Sequence, residues 1–143
     1  MLELPNMIMI GGNSRNAGKT TMACSLIRKF SIRQEVIGLK VSSIRPGEEI
    51  FHGEHNGELL SGFSVFEEFN RDSEKDTSKM LRSGAARVYF IRTLDKYIDQ
   101  AILHFIKMYI NNQMIVCESR SLRSFVIPGL FIMMMKLPVA GTE

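Results

Sequence analysis

Cysteine, blocks of one charge sign and long apolar runs are scarce in this 143-residue chain. Its two cysteines, Cys24 and Cys117, lie far apart, each inside an apolar stretch. That count excludes the disulfide-rich secreted scaffolds and leaves two core thiols, expected to be reduced in a cytoplasmic protein. Eighteen basic residues against fifteen acidic give a net charge of +3. No basic tract exceeds a few residues, so nucleic acid is not an expected partner. The longest apolar run, residues 126–135, contains Pro128 and Gly129 and stops at Lys136. A membrane-spanning helix needs about 20 such residues, so no membrane association is expected. The first ten residues also lack the basic region and cleavage site of an export signal. Internal repeats and low-complexity tracts are missing as well, which removes solenoid arrays and disordered linkers from consideration.

What is present is the composition of one ordinary domain, with 45% apolar residues and a mean hydropathy of zero. A domain spanning 1–143 can bury about 70% of the surface its unfolded chain exposes, enough for a core without staples. Met7-Ile8-Met9-Ile10 is wholly apolar and ends at Gly11-Gly12, as in a strand covered on both faces. From Thr20 onward Met22, Leu26, Ile27 and Phe30 recur at helical spacing, with Arg28, Lys29 and Arg33 toward the other face. Val36-Ile37-Gly38-Leu39-Lys40-Val41 reads as a second strand and completes a βαβ unit. Further strands are expected over residues 87–91, 114–117 and 130–134, with the Met133-Met134-Met135 cluster as strand core. Thr93 is expected to open a long helix on Leu94, Ile98, Ala101, Ile102, Phe105 and Tyr109, ended by Asn111-Asn112. Asp76 or Thr77 is expected to cap a shorter helix reaching Arg82, with Gly84 as its stop. Residues 42–74 carry Pro46 and four glycines. So long a structureless segment is unusual inside a compact domain, so a flap or hairpin insertion is expected there. Strands alternating with helices predict an α/β fold, a mostly parallel central sheet with helices on both faces.

Between the first strand and the first helix lies Gly12-Asn13-Ser14-Arg15-Asn16-Ala17-Gly18-Lys19-Thr20-Thr21, where a Walker A phosphate loop, G-x-x-x-x-G-K-[ST], belongs. One position departs from that pattern. Counting back from Gly18 puts the leading glycine at Asn13, with Gly12 one residue early; asparagine accepts a left-handed backbone better than most residues, so the turn stays feasible. Backbone N–H groups from Ser14 through Arg15, Asn16 and Ala17 to Thr20 would converge on a phosphate, helped by the positive end of the helix. Gly18 admits close backbone approach, Lys19 reaches the β- and γ-phosphates, the Thr20 hydroxyl ligates Mg²⁺, and Thr21 lies near the α-phosphate. Such a loop needs a further carboxylate at the end of a neighbouring apolar strand, and Glu118 is the acidic residue in that setting. Lys40 ends the second strand at the edge where open α/β sheets bind ligands. The set is therefore Lys19, Lys40 and Glu118 for catalysis, residues 13–21 for the nucleotide, and Thr20 with Glu118 for Mg²⁺.

Plainer readings stand beside these. Glu118 can be a strand-end carboxylate and Lys40 a surface lysine. Arg15 either acts on phosphate charge or is an exposed loop arginine. Asp76 and Thr77 either contact the nucleotide or metal or simply cap their helix, the stronger reading. His52-Gly53-Glu54-His55 reads as a solvated loop rather than a zinc centre. His104 carries no chemical context.

Residues 12–21, Val36-Ile37-Gly38-Leu39-Lys40, Lys75-Asp76-Thr77 with Ser83-Gly84-Ala85, and Ile115-Val116-Cys117-Glu118-Ser119 together resemble the molybdopterin-guanine dinucleotide biosynthesis protein B group of P-loop proteins. The resemblance implies a P-loop NTPase fold and a GTP-binding, weakly hydrolysing accessory protein, often dimeric. It implies work with a cofactor-biosynthesis partner protein in attaching a nucleotide to the molybdenum cofactor. Carried over by position, the Walker residues and Glu118 would bind GTP and Mg²⁺, with Lys40 at the catalytic edge. The chain has Val41 where that group commonly has histidine, and Ser119-Arg120 where a glycine-containing turn is usual. It has no Asn-Lys-x-Asp loop to read guanine, so GTP and ATP both stay open. The Gly12 to Gly18 spacing and Lys40 also look locally like dethiobiotin synthetase, which would use ATP to activate a carbamate. A third reading is a nucleotide-switched binding module with little turnover, residues 42–74 being its moving element.

Overall fold

Apolar strands without polar alternation need cover on both faces, and the computed structural model, which describes residues 1–14, 17–44 and 62–138, supplies it with helices. In chain order the elements are β1 (Leu2–Gly12), α1 (Lys19–Phe30), β2 (Val36–Ile44), β3 (Phe63–Glu67), α2 (Asp76–Arg82), β4 (Arg87–Leu94), α3 (Ile98–Tyr109), β5 (Met114–Ser119) and β6 (Val126–Met134). Six strands form one sheet in the order β3-β4-β2-β5-β1-β6. Every pairing is parallel except that of β3 with β4. The α/β expectation, a mostly parallel sheet flanked by helices, is met.

Successive strand residues point to opposite faces, and each face has its own core. Met7, Met9, Ile37, Leu39, Tyr89, Ile91, Ile115 and Cys117 pack with Ile98, Ala101, Ile102 and Phe105 of α3. Ile10, Val36, Val88 and Val116 turn the other way, toward Ala23, Cys24 and Ile27 of α1 and Met80 and Leu81 of α2. Both cysteines are buried and free, one in each core. Helices of twelve residues and of seven are marginal in isolation, so this burial, about 1.5–3 kcal/mol per large apolar side chain, is what holds them. Gly38 sets how closely α2 approaches β2: a Cβ there would come 3.1 Å from Val88 Cγ2 and 3.5 Å from Met80. That packing fixes the start of α2 beside the end of β2.

Several boundaries differ from the periodic reading. β1 and β6 begin well before the strands expected at residues 7 and 130, because Leu2, Glu3 and Leu4 pair in parallel with Val126, Ile127 and Pro128. Thr93 does not open a helix: pairing of Ser43 with Thr93 and of Ile44 with Leu94 carries β4 through Leu94, and α3 begins at Ile98. Leu94 fits a helical period only because a buried strand end is also apolar. Of the segment 42–74, residues 45–61 lie outside the described residues. β3 does pair antiparallel with β4, but through a connection that contains α2, so the two are not a hairpin. The methionine cluster is not strand core. β6 is an edge strand, and Met133 is 51% and Met135 62% exposed, while Met134 packs on the α1–α2 core. Among the described residues no helix is long and apolar enough to cross a membrane.

Phe105 is fully buried and meets the Tyr89 ring edge-on at 5.2 Å. Phe105→Ala is expected to lower the unfolding free energy by about 3–5 kcal/mol, whereas Met108→Ala on the exposed side of the same helix should stay within about 0.5 kcal/mol. Urea denaturation of the two variants checks this; equal midpoints would contradict the assignment of the α3 face.

Candidate functional site

The turn between β1 and α1 is built around two glycines with different tasks. Gly18, at the N-cap of α1, has φ 91°. Only glycine takes that left-handed conformation without strain. Its carbonyl accepts the Met22 N–H at 3.0 Å. No side chain caps α1 and no acid stands in its first turn, so the positive helix end is left open to an anion. Gly12 makes room for a side chain: a Cβ there would lie 2.9 Å from Lys19 Cδ. Lys19 thus folds back over the strand end, and its Nζ donates to the Ser14 carbonyl at 3.2 Å.

Asn13 does something the motif did not foretell. It is not among the residues of positive φ, so it does not replace a glycine conformation. Its backbone N–H donates to Met134 O at 3.2 Å. Its side-chain Nδ2 donates to Lys136 O at 3.4 Å and its Oδ1 accepts the Lys136 N–H at 3.0 Å. The side chain acts as one more rung of the β1–β6 ladder and ties the loop to the segment after β6.

Register brings the acidic and basic candidates together. Glu118 on β5 is level with Ile10 on β1 and with Lys40 on β2. Thr20 Oγ1 donates to Glu118 Oε2 at 2.9 Å. Lys40 Nζ pairs with Asp76 and lies 3.9 Å from Glu118 Oε1. Neither expected cap is a cap: Lys75 holds the N-cap position of α2 without a side-chain bond. Asp76 is drawn to Lys40 instead, and Thr77 donates to Glu68 Oε1 at 2.7 Å.

The two carboxylates titrate apart. Burial pushes the Glu118 carboxyl above its ordinary value; Lys40 pulls it back, the Asp76 charge adds to the rise, and Thr20 and Lys19 offset only part. Burial works the same way on Asp76, but the hydrogen bond and charge of Lys40, with help from Thr20 and Lys79, outweigh it and leave its pKa lowered. Among the described residues no group of three or more His, Cys, Asp or Glu side chains forms a metal centre. The donors here are two carboxylates and a hydroxyl, all hard oxygen ligands suited to Mg²⁺.

A cleft of about 810 Å³ opens over the carboxyl ends of the central strands. One half is walled by Lys19, Thr20, Lys40, Asp76, Lys79 and Glu118, the other by Ser42, Ser43, Arg120 and Ser121. Gly18 and Thr21 also border it, whereas Asn13, Ser14 and Ala17 do not. Arg15, Asn16, His52 and His55 lie outside the described residues. His104 packs against the Phe63 and Tyr109 rings, and burial pushes the Cys117 thiol up, away from reactivity. Asp76 is a cleft residue read first as a helix cap, with its place in Lys75-Asp76-Thr77 the one sign of another role, and Lys79 is a cleft residue that the sequence reading did not single out. No family model, curated protein or solved structure matches this chain.

Asn13→Ala is expected to cost about 1 kcal/mol of stability through its lost hydrogen bonds and to raise amide exchange at Lys136. Hydrogen exchange of a peptide covering 134–138 checks this, and unchanged protection would remove the tie.

Proposed function

We propose that this chain binds a nucleoside triphosphate with Mg²⁺ at residues 12–21 and hydrolyses it slowly, as a P-loop nucleotide-binding protein. The observation that carries the reading is the Thr20–Glu118 hydrogen bond at 2.9 Å across 98 residues of sequence. These are the two side chains that a phosphate loop and its distant carboxylate would use to hold the metal, and they meet beside Lys19 in one cleft. Its position, outside the carboxyl ends of the strands, is where open α/β sheets bind ligands.

On this reading the Lys19 ammonium exchanges the Ser14 carbonyl for phosphate oxygens, and the uncapped end of α1 supplies backbone N–H groups to the same charge. Thr20, Glu118 and Asp76 would hold Mg²⁺, which when bound polarises phosphoryl oxygens. Lys40 balances the two carboxylates and presents positive charge to the cleft. The resemblance to the molybdopterin-guanine dinucleotide biosynthesis protein B group points, within this reading, to GTP and to an accessory role in molybdenum-cofactor assembly. A homodimer and a biosynthetic partner protein belong to the same proposal.

Equilibrium titration with fluorescent GTP and ATP analogues, with Mg²⁺, tests it. Lys19→Ala is expected to weaken binding by about 10- to 100-fold, the equivalent of one charge-assisted contact. A preference for GTP supports the accessory role, a preference for ATP moves the assignment to carbamate activation, and no binding by folded protein overturns the proposal. A pH series adds a second test. Burial makes Glu118 take up its proton at a higher pH than an ordinary glutamate, while metal ligation needs it ionised. The Mg²⁺-dependent part of the affinity should therefore fall over a pH range that lies above the one, near 4, in which exposed carboxylates are protonated. Glu118→Gln should abolish that dependence; an affinity flat over this range in the unmodified protein would count against Glu118 as a ligand.

A further inference from the structure

We infer that the serine-lined half of the cleft is a site for a second ligand, a small hydroxyl-bearing anion, whose binding does not depend on the nucleotide reading. Three elements far apart in sequence meet there. Ser43, near the end of β2, donates through Oγ to Asp95 Oδ1 at 2.6 Å, and its Oγ lies 2.7 Å from Ser121 Oγ. A serine hydroxyl has one proton. The Ser43 proton is committed to the Asp95 carboxylate, so Ser121 donates to Ser43, and the lone pairs of Ser121 Oγ remain as acceptor sites. The turn carrying Ser121 is itself fixed, since Ser119 Oγ accepts the N–H groups of Ser121 at 3.3 Å and Leu122 at 3.1 Å. A carboxylate-anchored relay ending in a fixed acceptor calls for a ligand that donates a hydrogen bond.

The charge of the cleft selects among donors. Lys19, Lys40, Lys79 and Arg120 line it; of the nearby carboxylates, Asp76 and Glu118 are engaged by Lys40 and Thr20, and Asp95 by Ser43. An ammonium ligand meets net repulsion there, whereas a neutral hydroxyl does not, and Arg120 beside Ser121 matches an anionic group on the same molecule. Val41 is the one apolar residue bordering the cleft among the described residues, and it is buried in the α3-side core, which fits a polar ligand. Strand rise of about 3.3 Å per residue puts Ser43 roughly 10 Å beyond Lys40. That distance leaves room for a small molecule next to a phosphate chain held at Lys19.

Titration of the ¹⁵N-labelled chain with sn-glycerol 3-phosphate, followed in ¹H–¹⁵N spectra, tests the site. The expected result is saturable shifts at the amides of Ser43, Arg120 and Ser121, about 10-fold weaker binding in Ser43→Ala, and recovery in Ser43→Thr, with thermal melting confirming that both variants fold. Shifts confined to Gly18, Lys19, Thr20 and Thr21, no shifts, or equal binding by Ser43→Ala would overturn it. So would inorganic phosphate alone reproducing the Ser43 and Ser121 shifts, since the hydroxyl would then be irrelevant. Nucleotide titration of the same sample separates the two proposals. Serine-site shifts without nucleotide binding would leave this site standing and remove the nucleotide reading, and nucleotide binding without serine-site shifts would do the reverse.

Discussion

Glu118 is a carboxylate almost wholly withdrawn from water, its side chain 5% exposed. Such a group is costly unless other polar groups replace its hydration. Thr20 donates to one oxygen and Lys40 stands 3.9 Å from the other. These two contacts come from α1 and β2, and Lys40 in turn binds Asp76 at the start of α2. One buried charge therefore ties the glycine-rich turn, two central strands and a second helix to a common point. The arrangement depends on register: a one-residue slip of β5 against β2 would turn Glu118 to the α3 face, among apolar side chains with no donor.

The central strands were legible because burial on both faces leaves an unbroken apolar signature, as in residues 7–10 and 114–117. Pattern fails where a strand lacks that cover. The beginnings of β1 and β6 are defined by pairing with each other, so Glu3 and Pro128 belong to strands no periodicity would assign. The Met133-Met134-Met135 run has the composition of a core but sits at a sheet edge, and composition carries no information on strand order. Thr93 shows the converse error, in which a strand end and a helix start share the same apolar residues.

The site divides in the same way. Gly18, Lys19 and Thr20 were legible because a phosphate-loop pattern is local in sequence, and Glu118 because a strand end is. Asp76 looked like a cap because cap and ion-pair partner are the same residue type, and its partner Lys40 lies 36 residues away. Asn13 looked like an imperfection in the motif. Its partner Lys136 is 123 residues distant, and the glycine the turn needs is Gly12, for the space Lys19 fills rather than for a backbone angle. The Ser43, Asp95 and Ser121 contacts span 52 and 78 residues and have no local signature at all.

Unequal carboxylates give the cleft a direction. Asp76 is held ionised by Lys40, whereas Glu118 is the group whose charge the fold opposes. Adding positive charge to the cleft lowers the free energy of ionised Glu118 more than that of Asp76, because the more deeply buried carboxylate is less screened by water. By linkage, any cation or cation–anion pair that enters draws part of its binding free energy from relief of a strain present in the free chain. The effect also runs backward, since protonating Glu118 weakens the grip on such a ligand. A buried acid with a neighbouring lysine thus stabilises the folded chain less than a well-packed apolar pair would, and what it supplies instead is a site whose charge is completed from outside.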